Sequence, residues 1–184
     1  MKRYVLASTS PRRHELIKLT GFDFETRSPD ADETVGEYDN HADMIMEIAE
    51  RKVDAIKDVT DEDIVLGCDT LVMVDEEMLA KPLHEDEARS MLKKLSGRTH
   101  QVITGCALRH AGKTQRFHEE AFVNFSRLTD EEIKEYIATG EPFGKAGGYA
   151  VQGFAARFVN AISGDYYSVM GLPVSRVYRE LKKL

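Results

Sequence analysis

The sequence predicts an α/β fold: a mixed sheet with helices packed around it. Three observations carry this expectation. Apolar runs of strand length lie at residues 4–7, 64–74, 99–109 and 114–127. Residues 41–57 and 84–95 instead place their apolar side chains at helical spacing. The two kinds of segment do not alternate strictly as strand, helix, strand, so the sheet is expected to be mixed rather than all parallel.

The elements follow in order. Tyr4-Val5-Leu6-Ala7 reads as a short buried strand, Ser8-Thr9-Ser10 as a hydroxyl-rich turn, and the chain from Pro11 to Leu19 as a helix. Ser10 suits the N-cap, Pro11 the first helical position, and Gly21 the exit. Residues 22–40 are polar, broken by Ser28-Pro29 and the acidic run Asp30-Ala31-Asp32-Glu33, and are expected as a loop. Met44, Ile45, Ile48, Ala49, Val53 and Ile56 mark the helix in 41–57. Ile64 to Val74 is a buried strand with a polar interruption, Cys68-Asp69-Thr70. Residues 84–95 form a helix ended by Ser96-Gly97, and two strands meet at His110-Ala111-Gly112-Lys113. Thr129-Asp130-Glu131-Glu132 is a capping box that opens a helix stopping at Gly140. Residues 144–171 are Gly-rich and expected to be irregular, and Pro173 to Leu184 is a last amphipathic helix.

A chain of 184 residues fits one domain and can bury a substantial core. Its 25 Lys and Arg against 32 Asp and Glu give a net charge of −7. Such a surface argues against general binding to nucleic acid or to an anionic membrane. Any anionic ligand must be held by a local basic cluster. No apolar run approaches the roughly 18 residues of a membrane span, and no signal-peptide pattern opens the chain. Cys68 and Cys106 form no C-x-x-C, and are expected to be reduced and buried in a cytoplasmic protein. The six histidines show no metal-ligand spacing.

The chemistry is read from four places. At the start of the first helix, backbone N–H groups, hydroxyls and the helix dipole converge beside Arg12 and Arg13, an arrangement that suits phosphate. On its own the same turn also fits an ordinary capped helix with solvated arginines. Asp69 interrupts an apolar strand, where a carboxylate is costly unless paired or used, and it is the candidate base or metal ligand. Glu33 closes the acidic loop and, with Asp69, offers oxygen ligands to Mg²⁺ or Mn²⁺. Lys52 and Lys81 join Arg12 and Arg13 in a set of four cations, against about four negative charges on a triphosphate. Finally, Lys145-Ala146-Gly147-Gly148-Tyr149-Ala150-Val151-Gln152-Gly153 pairs glycines that permit close approach to a ligand with an amide able to read a base edge. A sheet corner is the competing reading of those glycines. There is no G-x-x-x-x-G-K-[ST], G-x-S-x-G or H-E-x-x-H.

Taken together and in order, Leu6-Ala7-Ser8-Thr9-Ser10-Pro11-Arg12-Arg13, Gly67-Cys68-Asp69-Thr70, Lys81-Pro82, Ser96-Gly97-Arg98-Thr99-His100, Thr139-Gly140-Glu141-Pro142, Lys145-Ala146-Gly147-Gly148-Tyr149, Gln152-Gly153 and Gly171-Leu172-Pro173 resemble the motifs of Maf proteins over nearly the whole chain. The resemblance implies a nucleoside triphosphate pyrophosphatase that splits between the α and β phosphates. It implies an elongated mixed sheet with flanking helices and two lobes around a central cleft, similar to inosine triphosphate pyrophosphatases, in a single domain over residues 1–184. Asp69 is similar to the catalytic base, and Ser8, Arg12, Arg13, Glu33, Lys52, Lys81 and Gln152 to the substrate-site set. A divalent metal and a homodimer are further implications. Arg12, Thr70 and Gln152 match the branch of the family acting on dTTP and UTP. Two positions depart from the family pattern: Gly144, where Asp is common, and Cys68, where Ala is common. The rival expectation is a nucleotide-binding regulator of septum formation without turnover. Asp69 argues for the enzyme, since a binder needs no base there.

Overall fold

The structure, a computed structural model, describes residues 3–34, 36 and 38–184. Among these, seven strands form one mixed sheet: β1 (Tyr4–Ala7), β2 (Phe24–Arg27), β3 (Ile64–Val74), β4 (Glu77–Leu79), β5 (Thr99–His110), β6 (Lys113–Phe125) and β7 (Val159–Gly164). The helices are α1 (Pro11–Lys18), α2 (His41–Asp54), α3 (Glu85–Leu95), α4 (Asp130–Ala138), α5 (Tyr166–Met170) and α6 (Val174–Leu181), with 3-10 turns at Ala146–Gly148 and Phe154–Phe158. The strand order is β2-β1-β3-β5-β6-β7, with β4 added on β3. β1 runs parallel to β2 and β3, whereas β4 is antiparallel to β3 and β7 to β6, which makes the sheet mixed as the sequence predicts.

The described residues fall into two compact units. The first draws on the described residues up to Thr70, on Thr104–Glu119 and on Gly171–Leu184, the second on Leu71–Ile103 and Glu120–Met170. In the first, Val5, Ala7, Ala49, Val53, Ile56, Val65 and Ala107 form one buried cluster, so the apolar face of α2 covers β1 and β3. α6 is fixed there by Glu180, whose buried carboxylate meets Lys183 at 2.7 Å, Arg176 at 2.8 Å and Gln115 at 3.0 Å. In the second, Val72, Leu92, Phe125, Tyr136 and Phe158 centre the core. α4 carries the expected capping box, with the Glu132 N–H donating to Thr129 Oγ1 and the Thr129 N–H to Glu132 Oε2.

Two segments expected as irregular contain strands. Phe24–Arg27 pairs in register with β1 inside the expected loop 22–40, of which residues 35 and 37 lie outside the described residues. Val159–Gly164 pairs with β6 inside 144–171. Both sit at the two ends of the strand order and are half-exposed, so neither shows the apolar pattern of a buried strand. Both cysteines are free and buried as expected, and lie side by side with sulfurs 3.0 Å apart. Among the described residues no helix is long and apolar enough to cross a membrane.

Candidate active site

β1 ends at Ala7, and the chain turns at Ser8 into α1. The Ser8 N–H donates to the carbonyls of Leu6 and Arg27, and Ser8 Oγ accepts from the Ser10 N–H at 3.1 Å. His14, one turn into the helix, closes the turn with Nε2 donating to the Ser8 carbonyl at 2.7 Å. Ser10 occupies the N-cap and Pro11 the first helical position, as the sequence indicates. The Ser10 side chain accepts no capping hydrogen bond, so the positive end of α1 is not quenched by its own cap. Arg12 is half-buried there; Arg13 is buried.

The centre of the site is set by a glycine. A Cβ on Gly67 would stand 2.4 Å from the Ala49 carbonyl oxygen and 2.9 Å from Val53 Cγ2. Only glycine lets α2 lie this close to β3. Gly105 does the same on β5, where an added Cβ would meet the backbone of Ile45 and Met46 at 2.7 Å. The close seat brings Lys52, 5 % exposed, over the strand two residues beyond Gly67. Its ammonium meets Asp69 Oδ2 at 3.2 Å and Glu33 Oε1 at 2.9 Å. Three residues singled out from the sequence, on three separate segments, thus meet at one point.

Arg13 approaches Asp69 from the other side, with Nη2 3.7 Å from Oδ1. Its Nε donates to the Gly171 carbonyl at 2.7 Å and Nη2 to Thr70 Oγ1 at 3.0 Å. Gly171 has φ +113, and an added Cβ would press within 3.4 Å of Arg13 Nε and Thr70 Oγ1. The motif Gly171-Leu172-Pro173 therefore serves the site through a backbone carbonyl that only glycine can present in this conformation.

Asp69 is ionised in spite of its surroundings. Burial is the strongest single influence and works to raise its pKa, but Lys52, Arg13 and the Thr70 N–H, which donates to Oδ1 at 2.9 Å, together outweigh it. The net result is a carboxyl held below its ordinary value. The costly charge inferred from the strand pattern is a half-buried carboxylate between two fixed cations.

The remaining candidates, Lys81 and Gln152, are exposed and belong to the second unit. Their segments are tied to each other, since the Gly147 N–H donates to the carbonyl of Ala80 at 3.1 Å. Of the glycines before Gln152, Gly147 has a packing role. An added Cβ at Gly147 would meet Val72 Cγ1 at 2.9 Å, so this glycine lets the segment pack on β3. Lys145 directs its ammonium to the carbonyl of Glu141 at 2.6 Å. An added Cβ at Gly144 meets nothing within 4 Å. Glu141 has a role that sequence reasoning missed. Its carboxylate accepts from the N–H groups of Phe154 and Ala155 and from the Tyr136 hydroxyl, which anchors the chain just after Gln152. His100 anchors it before, through 2.7 Å between Nε2 and the Tyr149 hydroxyl. Burial holds His100 at about 4, so it is neutral at pH 7.

For a cation ligand set, Glu33 Oε1 and Asp69 Oδ2 already bracket one positive charge, that of Lys52. Two such oxygens suit a hard divalent ion. Among the described residues no group of three His, Cys, Asp or Glu gathers as a metal cage. Phosphate oxygens and water would have to complete the shell, which is the usual manner for Mg²⁺.

The family described as Maf-like protein matches residues 3–184. A Bacillus cytotoxicus protein named dTTP/UTP pyrophosphatase is 50 % identical over 183 residues, covering 100 % of this chain and 96 % of that one. A Bacillus cereus protein of the same name is 47 % identical with the same coverage. Among solved structures, the Ham1 protein of Staphylococcus aureus aligns with TM-score 0.55 at 12 % identity over 99 % of both chains. The HAM1 protein of Coxiella burnetii aligns with TM-score 0.56 at 13 % identity over the full length of both. These two likenesses establish the shared α/β architecture of mixed sheet and flanking helices. With the motifs in register and the family match spanning nearly every residue, this chain belongs to the Maf family.

Proposed function

We propose that this chain is a nucleoside triphosphate pyrophosphatase that hydrolyses dTTP and UTP to the monophosphate and pyrophosphate. The observation that carries the reading is Asp69: a half-buried, ionised carboxylate between Lys52 and Arg13, in a chain of the family whose Bacillus relatives bear that activity in their names. In the reaction, water attacks the α-phosphorus and the bond to the α–β bridging oxygen breaks. Asp69 accepts the water's proton. Before substrate arrives its low proton affinity keeps it ionised. An incoming triphosphate competes for Lys52 and Arg13 and adds negative charge nearby, both of which raise that affinity. Asp69 therefore becomes the stronger base when there is something to hydrolyse.

Arg12, Arg13, Lys52 and Lys81 neutralise phosphate charge as it develops, the dominant contribution in phosphoryl transfer. In the alternative role for Asp69, a divalent metal held by Glu33 and Asp69 would supply further neutralisation and a more acidic water, in place of proton transfer to Asp69 itself. Gln152 helps choose the base, because its amide can donate to a pyrimidine carbonyl and accept from N3–H. A homodimer and a cytoplasmic location belong to the same reading.

The test is pyrophosphate release from dTTP, UTP, CTP, ATP, GTP and 7-methyl-GTP with Mg²⁺ and with Mn²⁺. dTTP and UTP are expected to lead. Asp69→Asn should lower turnover roughly 10²–10⁴-fold, the usual worth of a general base, with folding intact. A fully active Asp69→Asn variant would sink the assignment, and a purine preference would overturn the substrate.

A further inference from the structure

Thr104 lies in the middle of β5, fully buried within the apolar run Val102 to Leu108. A hydroxyl there is unfavourable unless it is hydrogen-bonded, and valine would pack as well. Thr104 Oγ1 sits 2.8 Å from Thr70 Oγ1 on the neighbouring strand β3. Thr70 Oγ1 also accepts from Arg13 Nη2, while the Thr70 N–H holds Asp69 Oδ1. Thr70 is thus the junction of the site, and Thr104 is the group behind it.

We propose that Thr104 is a positioning residue for the hydrolysis: it fixes the Thr70 hydroxyl and, through it, the Arg13 guanidinium that faces Asp69. This rests on the pyrophosphatase reading above. A threonine side chain has three staggered positions about χ1, and hydrogen bonding selects among them. With Thr104 in place, the Thr70 hydroxyl is shared between the guanidinium and Thr104, so its oxygen stays where Nη2 needs an acceptor. Without it, Arg13 keeps its Nε bond to the Gly171 carbonyl but swings about it more freely. Thr70, read from the sequence as a specificity residue, in this account acts on Arg13 rather than on the base.

The experiment compares the parent, Thr104→Val, Thr104→Ser, Arg13→Ala and the Thr104→Val/Arg13→Ala double variant. It measures kcat and KM for dTTP, the Kd of a nonhydrolysable α,β-imido analogue, and the melting temperature. Thr104→Val should lower kcat/KM about tenfold, the worth of one hydrogen bond, at a melting temperature equal to or above the parent's. Thr104→Ser, which keeps the hydroxyl, should return to within about twofold of the parent. In the Arg13→Ala background Thr104→Val should change kcat/KM by less than about twofold, because the two residues act as one unit. A purely structural role would give the same fall in both backgrounds. Parent-like kcat/KM in Thr104→Val, or a fall that persists without Arg13, overturns the proposal. If the parent releases no pyrophosphate, the pyrophosphatase reading fails by itself. The same pattern in the Kd of the analogue then supports the positioning role, and a flat Kd across the variants overturns it.

Discussion

Replacing Lys52 by methionine tests the electrostatic account of the site most directly. Lys52 is buried and its ammonium is 3.2 Å from Asp69, whose own side chain is 15 % exposed. Methionine fills a similar volume and removes the charge. Breaking a buried pair by deleting one partner typically costs about 3–5 kcal/mol. Here Arg13 at 3.7 Å and the Thr70 N–H remain on Asp69, which places the expected destabilisation nearer ~2–3 kcal/mol at pH 7. Glu33 is half-exposed and screened by water, so removing its ion pair with Lys52 adds little. The deficit should depend on pH. In the parent, Asp69 lies below its ordinary value, and its favourable contribution is present at neutral pH and is lost only as pH falls through that lowered value. In Lys52→Met the strongest lowering influence is gone and burial prevails, so the carboxyl shifts upward and the unfavourable buried charge is relieved on protonation. Urea unfolding of both proteins from pH 7 to about pH 4 should therefore show a gap that narrows with acid, since other titrating groups cancel in the difference. Asp69→Asn in the Lys52→Met background should recover most of the stability at pH 7. A gap that is absent at pH 7, or that stays constant down to pH 4, refutes the reasoning.

Arg13→Ala should weaken binding of a nonhydrolysable triphosphate by about 1.5–3 kcal/mol for each charge-assisted hydrogen bond it removes; unchanged affinity by calorimetry would exclude Arg13 from the phosphate grip. Gln152→Glu should narrow or reverse the lead of dTTP and UTP over the purine nucleotides, by roughly ten- to a hundredfold in relative kcat/KM, because a carboxylate cannot donate to the pyrimidine carbonyl. His100, held at about 4 by burial against an ordinary 6.5, takes up its proton more readily when unfolded. Stability should therefore fall as pH drops from about 6.5 toward 4, by up to ~3 kcal/mol. His100→Gln should flatten that slope in urea titrations, and an unchanged slope would show that the histidine is not the group responsible.

Much of the site is legible in the sequence. Ile64–Val74 is apolar enough to be read as a buried strand, and that background makes the charge of Asp69 conspicuous. The turn into α1 shows its N-cap and proline in sequence, and the acidic loop points to Glu33. What stays hidden is the support behind these groups. Thr104 looks like any β-branched strand residue, Glu141 like a solvated acid in a turn, and Gly171 like a loop glycine, since a carbonyl carries no side-chain signature. The edge strands β2 and β7 escape for a related reason. Half-exposed segments lack the apolar pattern of buried strands, and only their ladders with β1 and β6 make them strands.

The buried strands, the long helices, the family and the chemical inventory follow from the order of residues alone, because periodicity, caps and residue type act over a few neighbouring positions. Which of those groups meet is settled only by folding in three dimensions. Lys52 reaches Asp69 and Glu33 because Gly67 and Gly105 let α2 settle onto β3 and β5. Arg13 is aimed by a carbonyl 158 residues away in sequence and by a threonine 57 away. Such encounters depend on how close two backbones pack and which way a buried side chain turns, and no short stretch of sequence carries that information.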